Sequence, residues 1–212
     1  MRVDVDNLEP RNFDRGDVRV IKNFLPRTLF LHLQDMVMGG DFPWHYNKST
    51  LTNTDDGNFM FVHAFMWNSE VVSPLYREFR QMLPYAKEAL DYKKLTRLKL
   101  NWYPNQNKKI LHPLHKDVHE QDTKDYVIGV YHFNTCNGET IVNDEKIKSE
   151  ENQMLLFDNI PHQGNVQTDT RTRVVLNFNF KKWWKQYIYF LVKELNDCLE
   201  KICNCIFFGL IF

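Results

Sequence analysis

Of the 8 histidines in the 212-residue chain, only His115 stands two residues before an aspartate, Asp117, in the segment LHPLHKDVHE. On extended backbone, residues two apart leave the same face, so this imidazole and carboxylate can meet one metal ion. The pair alone is weak evidence, since roughly 0.6 His-x-Asp pairs are expected by chance at this composition. Its context adds to it. Further along, QMLLFDNIPHQG runs an apolar, strand-like stretch into a turn carrying His162. Two imidazoles and one carboxylate hold a divalent iron on one side and leave positions open for oxygen chemistry. Arg173 then opens RVVLNFNF, where Arg173, Val175, Asn177 and Asn179 alternate with Val174, Leu176, Phe178 and Phe180. An arginine pointing into a barrel is an expensive buried charge unless a carboxylate arrives to pair with it. Its planar fork suits one end of a diacid. Arg171, two residues earlier, competes for that role.

These residues need a scaffold that brings distant strands together. Val18 and Val20 predict a short strand, and Leu29, Phe30, Leu33, Met36 and Val37 predict a helix over 27–38, stopped by Gly39-Gly40. An irregular segment (47–58) precedes a strand at 59–65. Ser73-Pro74 is expected to open a second helix, with Ser73 as cap and with Leu75, Phe79, Met82 or Leu83, Ala86 and Leu90 on its apolar face. From 96 the period becomes two: Leu98, Leu100 and Trp102 alternate with Arg97, Lys99, Asn101 and Tyr103. Further strands are expected at 126–134, 139–142, 153–158 and 173–180, with Cys136-Asn137-Gly138 as a turn. Helices followed by many short strands predict an α+β fold, a β-barrel or double-sheet jelly roll buttressed on one side by N-terminal helices.

No repeat or linker divides residues 17–180, which read as one domain between a polar segment (1–16) and an amphipathic tail (181–212) expected to be helical. The tail offers dimerisation or peripheral membrane contact, but its last apolar run is too short to span a bilayer. Lys plus Arg and Asp plus Glu each number 27, so no net field draws the chain to nucleic acid. Three of the 4 cysteines crowd into the tail and Cys136 stands apart, which reads as free thiols. With a polar start in place of an apolar export signal, the expected compartment is the cytoplasm.

The ordered set His115-x-Asp117, His162, then Arg173 before an apolar strand resembles the iron(II)/2-oxoglutarate-dependent oxygenases, in their prolyl-4-hydroxylase-like branch. It is closer still to a group of small viral and phage-type members. The matching segments are IKNFLP (21–26), GGDFPWHYN (39–47), VYHFNTCNGETIV (130–142), PHQG and RVVLNFNF, which together span most of residues 20–180. The resemblance implies a double-stranded β-helix (jelly-roll) core, iron(II) on His115, Asp117 and His162, and the 2-oxoglutarate C5-carboxylate on Arg173. It also implies Tyr103 as a hydrogen-bond donor to that carboxylate and Asn101 as a pocket residue. The implied reaction is hydroxylation of a C–H bond by O2, with 2-oxoglutarate leaving as succinate and CO2 and ascorbate as an optional reductant. The substrate is a small molecule or a protein, with a prolyl or other protein side chain as the first guess. The alternative is a cupin-like jelly-roll metal-binding protein without oxygenase activity.

Other residues admit quieter readings. His112 and His119 flank the motif as surface residues or as support for the ligands. His45, His63 and His132 read as hydrogen-bonded structural histidines. Phe42, Trp44 and Tyr46 suit either a substrate-facing wall or core packing. Lys181-Lys182 with Trp183-Trp184 reads as a solvated edge with aromatic anchors, against a nucleic-acid surface.

Overall fold

Alternation along the strands decides what each side of the main sheet buries. The computed structural model describes residues 18–51, 57–119 and 125–183. The polar segment 1–16 and the tail beyond 183 lie outside them. Among the described residues, seven strands pair in one antiparallel run: β1 (Val18–Ile21), β9 (Gln153–Asp158), β6 (Tyr126–His132), β11 (Thr172–Lys182), β5 (Tyr92–Pro104), β3 (Met60–Trp67) and β2 (His45–Asn47). The two-residue β4 (Glu70–Val71) adds to β3. A second, three-stranded sheet orders β10 (His162–Gly164), β7 (Cys136–Val142) and β8 (Glu145–Ser149).

One side of the main sheet carries Leu98 and Leu100 of β5, Val174, Leu176, Phe178 and Phe180 of β11, and Met154 and Leu156 of β9. These bury against Phe30, Leu33 and Val37 of α1 (Arg27–Met38) and against Phe79, Met82 and Ala86 of the second helical segment. The opposite side carries Tyr103, Val130, Leu155, Phe157 and Val175, which pack with Val142 of the small sheet. The polar positions of β5 and β11 open into the space between the two sheets. The expected jelly-roll core with helices on one side is therefore present, and α1 has the expected bounds.

Several local expectations change. The second helix is α2 (Tyr76–Phe79), a 3-10 turn (Arg80–Met82) and α3 (Leu83–Ala89). Pro84, in the first turn of α3, has no N–H to continue the helical ladder, and Leu83 bonds back to the Arg80 carbonyl. Ser73 is not the cap of α2. Its hydroxyl bonds His63 Nε2 at 2.8 Å and accepts from the Leu75 amide at 3.3 Å. Strands β2, β4, β8 and β10 add to the strands expected from the sequence. Two of them come from two-residue turns: Asn68-Ser69 (φ 50° and 70°) closes β3–β4, and Asn143-Asp144 (φ 50° and 65°) closes β7–β8. Asn and Asp tolerate the left-handed backbone such hairpins need. No helix of the described residues is long and apolar enough to cross a membrane.

At the far end of β11, Lys182 pairs with Asp158 at 2.6 Å and Trp183 donates to Asp91 at 3.2 Å. This fits the reading of that stretch as an edge with an aromatic anchor. Phe42 is buried against Trp44, His63 and Phe65, a core role, whereas Tyr46 is exposed. Cys136 is a buried free thiol.

Candidate metal centre

His115 and His162 meet as directly opposed residues of an isolated antiparallel bridge, each amide bonding the other's carbonyl at 3.0 and 2.9 Å. Residues around His115 are not a regular strand, as the two-residue spacing had suggested. Among the described residues they pair with the neighbouring backbone through the two isolated bridges Leu111–Asn165 and His115–His162, and Asp117 sits in a bend. The shared side of His115 and Asp117 thus depends on anchoring to β10.

Each histidine has its Nδ1 3.0 Å from a backbone carbonyl, Pro113 for His115 and Ile160 for His162. A carbonyl only accepts, so Nδ1 carries the proton and Nε2 presents its lone pair. Both Nε2 atoms turn to Asp117, at 4.0 Å from Oδ1 and 3.9 Å from Oδ2. The ligand atoms of the trio lie within 4.8 Å of one another, the one such cluster among the described residues. Asp117 Oδ1 accepts from Arg97 at 3.0 Å, but its buried Oδ2 has no hydrogen-bond partner. A buried carboxylate oxygen facing two imidazole lone pairs fits a cation and little else. Burial alone would raise the Asp117 carboxyl, yet the Arg97 guanidinium, by its charge and its hydrogen bond, with the two imidazoles alongside, holds it below its ordinary range. Burial lowers His162. Both groups are thereby kept in the form a metal requires.

The second feature lies on the neighbouring strands. Arg173, 2% exposed, donates from Nε to Ser149 Oγ at 2.7 Å, from Nη2 to Thr140 Oγ1 at 2.9 Å and from Nη1 to the Asn165 carbonyl at 3.4 Å. Among the described residues no carboxylate forms an ion pair with it. Its register partner Tyr103 lies beneath the guanidinium, 5.8 Å from ring centroid to Cζ. Asn101 is buried in the same pocket wall. Arg171 is exposed, so only Arg173 reaches the interior.

Gly138 is no turn residue. It lies in β7, where an added Cβ would come 2.6 Å from Arg173 Cδ and 3.2 Å from Nε. The absent side chain is the channel through which Arg173 passes. Gly138→Ala is therefore expected to displace the guanidinium and, in the oxygenase that the sequence resembles, to raise the 2-oxoglutarate requirement about tenfold or more with metal content unchanged. A 2-oxoglutarate titration beside metal analysis checks this, and an unchanged titration would count against the steric argument.

The buried positions of His112 and His132 decide between the readings open to each. His112 is 5% exposed, lies against the Tyr103 ring at 4.8 Å with a 32° tilt and lines the pocket, which excludes the surface alternative and leaves the supporting one. His132 is fully buried, but neither ring nitrogen has a hydrogen bond in acceptable geometry, although Gln153 lies across the strand pair. Burial, then the nearby Arg173 charge, pushes its pKa down from 6.5 to about 3. A folded pKa below the unfolded one gives stability that is full above pH 6.5 and is lost as pH falls toward 3. His132→Gln should flatten that acid limb by about 1.4 kcal/mol per pH unit, measured by denaturant unfolding from pH 7 to 4. An unchanged limb would exclude His132 as its source.

The pocket also holds Arg97 and Lys99, which alternation alone assigns to the polar face of β5 with no role. The available signal was their alternation with Asn101 and Tyr103 on one strand.

Compared by sequence, the chain matches no family model and no curated protein. Its structure is similar to solved ones. A prolyl-4-hydroxylase from Pseudomonas putida aligns over 79% of this chain and 94% of that chain at 14% identity and TM-score 0.52. An oxidoreductase of the 2OG-Fe(II) oxygenase family from Burkholderia pseudomallei aligns over 77% and 85% at 6% identity and TM-score 0.58. HygX from Streptomyces hygroscopicus, solved with nickel and 2-oxoglutarate, aligns over 80% and 84% at 9% identity and TM-score 0.53. The fold is thus the jelly roll of the 2OG-Fe(II) oxygenases, prolyl hydroxylases among them.

Proposed function

We propose that the chain is an iron(II)- and 2-oxoglutarate-dependent dioxygenase that hydroxylates a C–H bond of its substrate, converting O2 and 2-oxoglutarate to the hydroxyl group, succinate and CO2. The observation that carries this reading is the pairing of two features in one pocket: the His115–Asp117–His162 cluster with its orphaned carboxylate oxygen, and a buried Arg173 without a carboxylate partner. A cupin-like binding protein has use for the first and none for the second. The solved neighbours bound to iron or nickel with 2-oxoglutarate support the cofactor assignment.

His115, Asp117 and His162 would hold the iron, which when bound supplies the activation of O2 through oxidative decarboxylation of 2-oxoglutarate. The remaining work belongs to the protein. The Nδ1 bonds to Pro113 and Ile160 fix both imidazoles in the ligating tautomer, and Arg97 fixes the carboxylate. Arg173 takes the far carboxylate of the diacid with its free N–H groups, and the Tyr103 phenol is the neighbouring donor. Burial raises the Tyr103 pKa, opposed by Arg173, so the hydroxyl keeps its proton. The apolar wall of Val130 and Val175 limits water around the cosubstrate.

The test is anaerobic addition of iron(II) and 2-oxoglutarate to the purified chain. A weak visible charge-transfer band is expected, followed by succinate formation once O2 is admitted. Absence of the band, together with no succinate across peptide, nucleobase and small-molecule candidates, would overturn the assignment. A prolyl or other protein side chain heads that panel, because one neighbour is a prolyl hydroxylase in complex with a peptide fragment. Fold likeness alone does not select the substrate.

A further inference from the structure

Arg97 and Lys99 pose a problem that iron and 2-oxoglutarate do not resolve. Both line the metal pocket, on the same face of β5 as Asn101 and Tyr103. Arg97 spends one N–H on Asp117. Lys99 has no hydrogen bond or ion pair among the described residues; its ammonium feels the Arg97 charge and, more weakly, the Asp117 carboxylate that Arg97 already engages. A partly buried, unpaired lysine beside an arginine costs desolvation and like-charge repulsion, and an apolar residue would fill the same space without either.

The strand register separates this pair from the diacid anchor. Tyr103 faces Arg173, Asn101 faces Val175, Lys99 faces Asn177 and Arg97 faces Asn179. Four residues at about 3.3 Å each put Lys99 roughly 13 Å along the strand from the Arg173 level. In the dioxygenase reading the diacid spends one carboxylate on Arg173 and its keto-acid end on the metal, so neither end is left to pair with Lys99. Nor does charge balance help: iron, Arg97, Lys99 and Arg173 together outweigh Asp117 and the diacid. Beside the two cations lie Asn177, which faces Lys99 and accepts from Asn101 Nδ2 at 3.4 Å, and Asn101, whose buried Oδ1 has no partner. These amides add directional donors and acceptors to the two point charges.

We propose that Lys99 and Arg97 form an anion subsite that binds a carboxylate or phosphate group carried by the substrate, with Asn101 and Asn177 completing the cradle. The proposal rests on the dioxygenase reading and names the chemical class of its substrate. The Lys99 pKa, lowered to about 8 by burial and then by Arg97, leaves the ammonium mostly charged at neutral pH.

The full chain loaded with zinc, which is redox-inert, and with 2-oxoglutarate is titrated with inorganic phosphate and, separately, with propionate. Binding is read from the anion-dependent rise in melting midpoint. Saturable stabilisation by at least one anion is expected, and the one that saturates at lower concentration identifies the substrate group. In Lys99→Met the apparent Kd should rise about tenfold or more, and in Lys99→Arg it should stay within a factor of about three. The 2-oxoglutarate Kd of Lys99→Met should also stay within a factor of about three. If neither anion binds wild type, or Lys99→Met binds both as wild type does, the subsite is overturned while the dioxygenase reading stands. If Lys99→Met loses 2-oxoglutarate and Arg173→Met keeps it, Lys99 is the diacid anchor and the proposal fails. If wild type does not bind 2-oxoglutarate at all, the dioxygenase reading falls and takes the proposal with it.

Discussion

Asp117→Ala is expected to abolish iron(II) binding and all turnover. Asp117 is the sole carboxylate of the cluster, and its Oδ2 has no partner other than what arrives between His115 and His162. Loss of a group that merely orients a ligand costs about 10- to 100-fold in metal affinity, and loss of the anionic ligand itself should exceed that range. The variant also strands Arg97 beside two imidazoles, adding positive charge where a cation must bind. Asp117→Asn separates shape from charge: it keeps the volume but removes the anion, and should fail in the same way. Metal content after dialysis against iron(II), with far-UV circular dichroism as the fold control, is the measurement. A folded Asp117→Ala protein that retains stoichiometric iron and the charge-transfer band would remove Asp117 from the centre.

Arg173→Met should leave iron binding intact and raise the 2-oxoglutarate requirement by about 100- to 1000-fold. That range follows from removing one partner of a buried charged pair, where each 1.4 kcal/mol is about tenfold. Arg173 also ties the sheets together, since Ser149 of β8, Thr140 of β7 and the Asn165 carbonyl all accept from it. The variant leaves buried acceptors unpaired at about 1–3 kcal/mol each, so a lower melting midpoint is expected as well. Arg173→Lys should recover part of the affinity, keeping the charge without the two-pronged geometry. The diagnostic result is the split between retained iron and lost 2-oxoglutarate. An unchanged 2-oxoglutarate titration in a folded Arg173→Met protein would show that the diacid is anchored elsewhere.

The elements that proved readable are those whose pattern is long enough to average out. Helix α1 shows three turns of apolar spacing, and β5, β9 and β11 each sustain an alternation or an apolar run over six or more residues. Strands β2, β4 and β10 have two or three residues, too few for any period to register, and β8 is mostly charged because it lies in the small outer sheet. Gly138 read as punctuation for a turn. Only the path of Arg173 across β7 shows that it is an absence of bulk.

The sequence by itself determined which chemistry was on offer. An unrepeated His-x-Asp, a later histidine after an apolar strand and an arginine heading the next strand are covalent facts of order. Tertiary structure decided which of those groups share a space. His115 and Asp117 face the same way because of the bridge to His162, not because of regular strand geometry. Arg173 rather than Arg171 enters the pocket because register sets it opposite Tyr103 and puts Arg171 outside. Lys99 and Arg97 gain meaning only beside Asp117 and Asn177, which come from distant parts of the chain. The physical reason is that alternation tells which residues share a face of one strand, whereas a site is the sum of faces from several strands. That sum is set by pairing register and sheet packing, which cost nothing to permute in a sequence read one segment at a time.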